Sequence, residues 1–283
     1  MSNVTTFKHA GSIGDVLASL PAVRERHRVS GKKGIIYLHK DVIAEFPEGT
    51  THPTRNSDDK MVMLNEGVCN MLIPLLKSQP YIEDAKIWEG ESIDINLDLM
   101  RETFVNMPYG DISRWYFYII PDLACDLSEQ WLEVPDAEKD LAKNKIIITR
   151  TERYNNTLID YSFLKEYEDD CVFSGTMREY NNFCMAFDLN IPKLTINNFL
   201  ELAQAIKQSK FHISNQTMAF QISQGLKTPR MVELCSYAPN VIPYGKNAYD
   251  YYAQTAVECY FHKLNGTFEA FVEKIKQQNK ASE

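Results

Sequence analysis

Hydrophobic residues along the chain follow two alternating patterns. Short runs rich in branched apolar residues, such as KGIIYLH (33–39) and KIIITR (145–150), are typical of buried strands. Longer stretches with apolar residues three or four positions apart, such as NNFLELAQAIKQSK (197–210), predict amphipathic helices. Because strands and helices alternate in both halves of the chain, we predict an α/β fold with mainly parallel sheets.

One polar stretch, EVPDAEKDLAKNK (133–145), interrupts this alternation with a proline, many charges and no apolar periodicity. The alternation restarts after it, which predicts two Rossmann-like domains that face each other across a cleft. We place these domains at 1–140 and 141–262, followed by a C-terminal helix at 263–283. Ligands of such sheets bind at the carboxyl ends of the strands, and here those ends line the cleft.

Composition disfavours several classes of protein. The chain has 283 residues, 44% of them hydrophobic, and a formal net charge of −8, which gives no general attraction to nucleic acid or to anionic membranes. It contains no apolar run long enough for a transmembrane segment, and its first residues lack the pattern of a signal peptide, so we expect neither. Its cysteines, histidines and acidic residues form no recognisable metal-binding motif. We therefore expect a cytoplasmic protein with no metal.

The first candidate for chemistry is the turn GSIGDV (11–16), between a predicted strand and a predicted helix. Gly11, Ser12 and Gly14 leave backbone N–H groups free above the turn, although the spacing is neither that of a dinucleotide fingerprint nor that of a P-loop. Asp15 has two compatible interpretations. It can be a first-turn carboxylate that the helix dipole favours, and it can be a side chain that faces the cleft.

Two further turns follow predicted strands in the second half. Asn215, Gln216 and Thr217 lie between a strand and a helix, where side chains and free N–H groups can hold a phosphate or a sugar hydroxyl. The alternative is that Asn215 or Thr217 only caps the helix. Gly175 and Thr176 also follow a strand, where the backbone often approaches a ligand, but this signal alone is weak.

The loop TRTERYNN (149–156) places cations at the end of another predicted strand. Arg150 and Arg153, beside Asn155, suit a diphosphate because a guanidinium can bind it through two hydrogen bonds. The alternative is a solvated loop in which Arg153 and Glu152 mix their charges at the surface. The sequence favours neither interpretation.

The order of these motifs resembles the heptosyltransferase-like family, glycosyltransferase family 9, whose members have the GT-B fold. The resemblance is carried by GSIGDVLASLPAVR (11–24), by QPYIEDAKIW (79–88) with IDINLDL (93–99), and by the segment 198–234, which contains SNQT and LKTP. It covers most of the chain in the right order. It implies an N-terminal acceptor domain and a C-terminal domain that binds a nucleotide-sugar donor.

The resemblance also implies roles for single residues. Asp15 matches the aspartate proposed as the catalytic base of the family. The positions that match its donor-binding segments are Gly175, Thr176, Asn215, Gln216, Thr217 and Gln221. The chain departs from the family pattern in having Gln216 for an acidic residue, Met218 for a glycine and Gln221 for a histidine, so a heptose donor is not implied.

The resulting hypothesis is an inverting, metal-independent transfer of a sugar from a nucleotide-diphospho-sugar to a hydroxyl of a glycan, a lipid-linked molecule or another acceptor. The nucleotide sugar is a co-substrate, and no cofactor is expected. One alternative is a catalytically inactive nucleotide-sugar-binding protein, which the departures in the donor-binding segment favour. Another is a phage-type glycosyltransferase acting on modified DNA, which the negative charge disfavours. An NAD-dependent enzyme is disfavoured because the dinucleotide fingerprint is missing.

Overall fold

The computed structural model describes residues 3–44, 54–103, 105–120 and 122–281 of the chain. The elements of the first half are β1 (Val4–His9), α1 (Ile13–Ser30), β2 (Lys33–Leu38), α2 (Glu66–Lys77), β3 (Ile82–Ile87), β4 (Ile95–Asn96), α3 (Leu99–Glu102) and α4 (Ile112–Ile119). Its strands form a parallel four-stranded sheet in the order β3-β2-β1-β4.

The second half contains a separate sheet. Its elements are β5 (Ile146–Thr149), a 3₁₀ segment (Ser162–Asp170), β6 (Cys171–Phe173), α5 (Met177–Phe187), α6 (Phe199–Gln208), β7 (Phe211–Asn215), α7 (Met218–Leu226), β8 (Arg230–Glu233), β9 (Ala248–Tyr251), α8 (Gln254–Asn265) and α9 (Phe268–Ala281). The five strands are parallel and lie in the order β6-β5-β7-β8-β9.

These two sheets confirm the predicted α/β fold with two Rossmann-like halves. The runs at 33–39 and 145–150 form β2 and β5, whose branched side chains are mostly buried in the sheets. The stretch at 197–210 forms α6, which begins after Asn198, whose side chain accepts the backbone N–H of Glu201 at 3.0 Å. Within the described ranges, no helix combines the length and the apolar character needed to cross a bilayer.

The predicted linker, residues 133–145, contains no helix or strand. Just before it, the backbone N–H groups of Trp131 and Leu132 donate to the carbonyl of Gly225 in α7, at 3.0 and 3.1 Å. A Cβ on Gly225 would lie 2.6 Å from Cγ of Leu132, so this close approach requires glycine. The boundary at 140 stays a prediction, and the position predicted to separate the last helix, 262/263, falls inside α8.

The described residues form two hydrophobic clusters, one within the second half and one that runs through both halves. Helix α1 is buried along most of its length because it packs against α4 of its own half and against α7 of the other. Leu17 and Leu20 of α1 belong to the same buried cluster as Ala219 and Ile222 of α7. Since α1 and α7 begin where β1 and β7 end, their packing brings the turns after these two strands together.

Candidate active site

The turn after β1 is built around Asp15, the third residue of α1. Its carboxylate oxygen Oδ2 accepts the backbone N–H of Ser12 at 2.8 Å, as in a capping box at the start of a helix. A Cβ on Gly11 would lie 2.8 Å from the same oxygen, so glycine is required at this position. Asp15 is therefore the first-turn carboxylate that one of its two interpretations predicted.

Arg101 reaches the same carboxylate from α3. Its Nη2 donates to Oδ2 of Asp15, and the side chains of Asp15 and Arg101 are 6% and 37% exposed. Burial alone would raise the pKa of Asp15, but the charge of Arg101, together with His9 and the Ser12 N–H, holds that pKa below its usual value. Asp15 is therefore ionised at neutral pH. Its other oxygen, Oδ1, accepts no hydrogen bond from any residue that the structure describes.

His9, at the end of β1, fixes the shape of the turn. Its Nδ1 accepts the backbone N–H of Gly11 at 2.9 Å, and its Nε2 lies 2.8 Å from the hydroxyl of Tyr116 in α4. Because Nδ1 carries the accepting lone pair, the ring proton is on Nε2. Burial lowers the pKa of His9 despite the nearby carboxylates, so the ring is neutral. Asp98 holds the residue that follows His9 by accepting the N–H of Ala10 at 2.6 Å.

The second half meets this turn at the start of α7. A Cβ on Gly14 would lie 3.8 Å from the backbone nitrogen of Met218, so the first turns of α1 and α7 are in van der Waals contact range. Tyr154 of the second half is also close. Burial raises the pKa of the Tyr154 hydroxyl, and the charge of Asp15 adds to the effect. The Asp15–Arg101 pair thus lies where the two halves meet.

Asn215, at the end of β7, is fully buried and holds the loop at 150–156. Its Oδ1 accepts the backbone N–H of Thr151 at 3.1 Å. Its Nδ2 lies within donor distance of the carbonyls of Thr151 (3.0 Å) and Arg153 (2.7 Å) and of Oδ1 of Asn155 (2.9 Å). In this arrangement the Asn215 amide forms its hydrogen bonds with the loop at 150–156.

Gln216 does the same for the loop after β8. Its Nε2 donates to the carbonyl of Ala238 at 2.7 Å and to Oδ1 of Asn240 at 3.0 Å, and its Oε1 accepts the N–H of Cys235 at 2.8 Å. Thr217 caps α7 by accepting the N–H of Phe220 at 3.4 Å. The capping interpretation of this turn therefore accounts for Thr217, and the turn's two amide side chains tie down neighbouring loops.

Gln221, one turn further along α7, is buried, and its Oε1 has no hydrogen-bond partner among the described residues. A buried amide oxygen without a donor is unfavourable, since the protein interior offers no water to replace the bond. Gln221 is thus the donor-segment residue with an unused polar atom.

Arg150 is committed to an ion pair with Glu233 at the end of β8. Its Nε and Nη2 donate to the two carboxylate oxygens at 2.8 and 3.0 Å. Glu233 is fully buried and also accepts the hydroxyl of Tyr161 at 2.6 Å and the backbone N–H of Asn156. The solvated-loop interpretation does not fit Arg150, and a diphosphate clamp would have to break this buried pair.

Arg153 and Asn155 lie further along the same loop. The guanidinium of Arg153 is 5.6 Å from the ring centre of Tyr154, and that ring is 6.0 Å from the ring of Tyr237, which is exposed. Asn155 donates to the carbonyl of Glu152 at 3.3 Å and accepts from Asn215. Arg153 is therefore the half-buried cation of this loop, beside two aromatic rings.

The turn after β6 is shaped by its own helix. Thr176 and Glu179 form a capping box at the start of α5: Thr176 Oγ1 accepts the N–H of Glu179 at 3.2 Å, and the Glu179 carboxylate accepts the N–H of Thr176 at 2.8 Å. A Cβ on Gly175 would lie 2.8 Å from the ring of Phe173. Both residues have structural reasons for their identity, and their contact with a nucleotide stays a prediction.

Sequence reasoning missed three residues of this site, Asp98, Arg101 and Tyr116; for His9, beside the glycine turn, it favoured a packing or surface role at the strand end over contact with a ligand. Asp98 and Arg101 directly follow β4, so the rule that ligand-binding residues follow parallel strands could have found them. No local signal marks Tyr116, which lies in α4 among other aromatic residues, Trp115, Phe117 and Tyr118.

Two cavities lie away from this site. One of about 410 Å³ is lined by Gln130, Glu133, Val134, Lys207 and Leu226, and another of about 270 Å³ lies around Arg24 and Arg28 of α1. Neither is lined by Asp15 or by residues of the turn after β7. Among the described residues, no group of three or more His, Cys, Asp or Glu side chains is placed to hold a metal ion.

Comparison with known proteins identifies the fold. Heptosyltransferase II of E. coli, an ADP-heptose lipopolysaccharide enzyme, has a TM-score of 0.60 and 12% identity, covering 92% of this chain and 98% of its own. E. coli heptosyltransferase WaaC with ADP has a TM-score of 0.60 and 11% identity, with 92% and 99% covered. A family 9 glycosyltransferase from Veillonella parvula has a TM-score of 0.56 and 9% identity, with 93% and 90% covered.

Comparison of the sequence alone finds much less. No family model matches the chain, and no curated protein sequence matches it. The identities to the solved structures are also low, so the likeness is one of architecture. The resemblance predicted from the motifs is confirmed at that level: the chain has the two-domain GT-B fold of the heptosyltransferase-like glycosyltransferases.

Proposed function

We propose that the chain is a glycosyltransferase that moves a sugar from a nucleoside-diphospho-sugar to an acceptor hydroxyl with inversion, using Asp15 as the general base. The observation that carries this proposal is the state of the Asp15 carboxylate. It is ionised, it lies where the two halves meet, and its Oδ1 has no hydrogen-bond donor among the described residues. Such an oxygen can take a proton from a hydroxyl placed beside it.

The reaction requires one proton transfer and one displacement. The acceptor hydroxyl gives its proton to Oδ1 of Asp15 while its oxygen attacks the anomeric carbon from the face opposite the diphosphate. The bond between that carbon and the diphosphate oxygen breaks, and the nucleoside diphosphate leaves with the electron pair. Positive charge develops on the sugar ring, as in other reactions with oxocarbenium-like transition states.

Negative charge grows on the leaving diphosphate, and the second half can stabilise it without a metal. The first turn of α7 offers free backbone N–H groups and the positive end of a helix dipole, and Gly14 places it next to the turn of Asp15. Arg153 is the side-chain cation in this scheme. We assign Arg150 a different role, because its pairing with Glu233 makes it a positioning residue for the loop that carries Arg153.

The substrates follow from the fold only as classes. The similar E. coli structures are described with ADP and as an ADP-heptose enzyme, so ADP-sugars are the first donors to test. Position 216 is a glutamine, so it offers no acidic group to orient a sugar hydroxyl. Its amide is also held by the loop after β8. The acceptor is a hydroxyl of a glycan, a lipid-linked sugar or another molecule, and the predicted setting is the cytoplasm.

The proposal is tested by comparing binding with turnover. The protein is screened against ADP-, UDP- and GDP-sugars by thermal shift and by release of nucleoside diphosphate in the presence of mixed glycan acceptors, with and without a chelator. We expect a donor that raises the melting temperature and is consumed without metal. Asp15→Asn should keep donor affinity and lose about 10²–10⁴-fold in turnover, the usual contribution of a general base.

Asp84→Asn is the matched control, since Asp84 lies in β3 of the same half and pairs with Lys77 at the surface. It should turn over like the unmodified chain. Equal turnover of Asp15→Asn and the control would remove Asp15 from the mechanism. Binding of a nucleotide sugar without any turnover would favour the inactive binding protein, and absence of binding would reject the proposal as a whole.

A further inference from the structure

Two opposing influences act on the Asp15 carboxylate. Its side chain is almost completely buried, and burial disfavours the charged form. The guanidinium of Arg101 favours the charged form and, together with His9 and the Ser12 N–H, outweighs burial. Burial cannot be removed without unfolding the turn. A partly exposed arginine, in contrast, can leave Asp15 and form a salt bridge with another anion.

The groups that face Asp15 come from several elements. His9 of β1 is neutral, Tyr116 of α4 has its pKa raised well above the usual value by burial, and burial also raises the pKa of Tyr154 from the second half. Asp98, after β4, adds negative charge near His9. Arg101 is thus the cation that offsets the Asp15 charge within the described part of this site.

Arg101 also has donors to spare. Among the described residues, Asp15 is the only hydrogen-bond partner of its guanidinium, which carries five N–H groups. More than a third of the side chain is exposed, in contrast to that of Asp15. A second anion that enters from the exposed side can therefore compete with Asp15 for Arg101.

We propose that Arg101 is a positioning residue that sets the basicity of Asp15, and that an anionic diphosphate entering beside it draws Arg101 away and makes Asp15 a stronger base. While the pair holds, Asp15 caps α1 and shares its charge with Arg101 through Oδ2. When Arg101 turns to the diphosphate, the buried carboxylate loses its counter-charge and takes a proton more readily. This inference rests on the proposed function and links donor binding to proton transfer from the acceptor.

Titration of Asp15 itself tests the inference without any turnover. The carboxyl carbons of aspartate are labelled with ¹³C, the Asp15 signal is assigned with Asp15→Asn, and its titration is followed by NMR with and without inorganic pyrophosphate. Arg101→Gln should move the titration of Asp15 to higher pH. Pyrophosphate should move it in the same direction in the unmodified chain but not in Arg101→Gln.

Two further variants make the result specific. Arg28→Gln removes an arginine that pairs with Glu25 at the other end of α1, and it should leave the Asp15 titration unchanged. Arg101→Lys keeps the charge and should restore most of the original titration, which also covers the case in which Arg101→Gln does not fold. An unchanged titration in Arg101→Gln, or a titration in Arg101→Lys displaced as far as in Arg101→Gln, would overturn the inference.

The pH dependence of turnover separates this inference from the proposed function. In Arg101→Gln, the ratio of turnover at a pH below both Asp15 titration midpoints to turnover at pH 8 should fall about tenfold relative to the unmodified chain for each unit by which Asp15 titrates higher. If the Asp15 titration shifts in Arg101→Gln but the unmodified chain turns over no donor, the role of Arg101 stands and the transferase proposal is rejected. If turnover is observed and its decline at low pH is the same in Arg101→Gln as in the unmodified chain, the transferase proposal stands and the role of Arg101 is rejected.

Discussion

The turns after β1 and β7 share one plan, a parallel strand followed by polar residues and a helix start, but their polar side chains are used differently. After β1, Asp15 binds Ser12 and Arg101 through one oxygen and leaves the other without a partner among the described residues. After β7, the amide groups of Asn215 and Gln216 are engaged by neighbouring loops. The turn after β1 leaves one carboxylate oxygen available for chemistry, whereas the amide side chains of the turn after β7 hold neighbouring loops in place.

The difference teaches how to separate functional from structural polar groups at strand ends. Buried polar atoms are nearly always hydrogen-bonded, so burial and polarity alone do not identify a reactive residue. What matters is whether the neighbours supply a partner for every donor and acceptor. By this criterion we expect changes in the first turn to affect turnover, and changes in the second turn and its supporting loops to affect stability.

The largest stability effect should come from the pair that supports the second turn. Glu233→Ala leaves Arg150 buried without its counter-charge and removes the acceptor of Tyr161. Breaking a buried ion pair from one side costs about 3–5 kcal/mol of unfolding free energy, measurable by urea denaturation. Glu129→Ala, which removes the exposed partner of Arg24, should cost no more than about 1 kcal/mol. Similar losses in the two variants would contradict the structural role of Glu233.

A smaller loss is expected at Asn215 itself. Asn215→Ala removes the amide that binds Thr151, Arg153 and Asn155, so every hydrogen bond between that amide and this loop is lost. The unfolding free energy should fall by about 1–3 kcal/mol, the cost of leaving buried groups unsatisfied. Asn197→Ala, which removes an exposed contact with Glu201, is the control and should change little. If Asn215→Ala kept full stability and lost turnover instead, Asn215 would belong with Asp15 rather than with the scaffold.

The smallest effect concerns the buried histidine of the second sheet, His212. Burial, with the charge of Arg230, lowers its pKa from 6.5 to about 3. Between pH 6.5 and about pH 3, His212 is protonated in the unfolded chain but not in the folded chain. The free energy of unfolding therefore falls as the pH drops through this window. The slope from this residue is at most about 1.4 kcal/mol per pH unit. His212→Gln should lose less stability between pH 7 and pH 5 in urea unfolding, and equal losses would contradict the assignment.

The fold was predictable because its signals are local. The branched runs at 33–39 and 145–150 needed only their own residues to indicate β2 and β5, and the spacing of apolar residues in 197–210 indicated α6. The position of Asp15 in a first helical turn was predictable for the same reason. Helix and strand periodicity, together with capping residues, are properties of neighbouring positions.

The partners in the site were not predictable because they come from distant parts of the chain. Arg101 follows Asp15 by 86 positions and reaches it only because β4 lies beside β1 in the sheet. Arg150 suggested a cation free for phosphate until the sheet order β5-β7-β8 placed Glu233 within reach. Local composition shows that a charge is present, and topology decides which group neutralises it.

Trp131 and Leu132 precede the predicted linker, yet their backbone is fastened to Gly225 in the middle of the other half. A C-terminal fragment that starts after residue 140 would lack Trp131 and Leu132. The carbonyl of Gly225 would then lose both of these hydrogen-bond donors. The smallest autonomous version of the C-terminal half must therefore start upstream of Trp131.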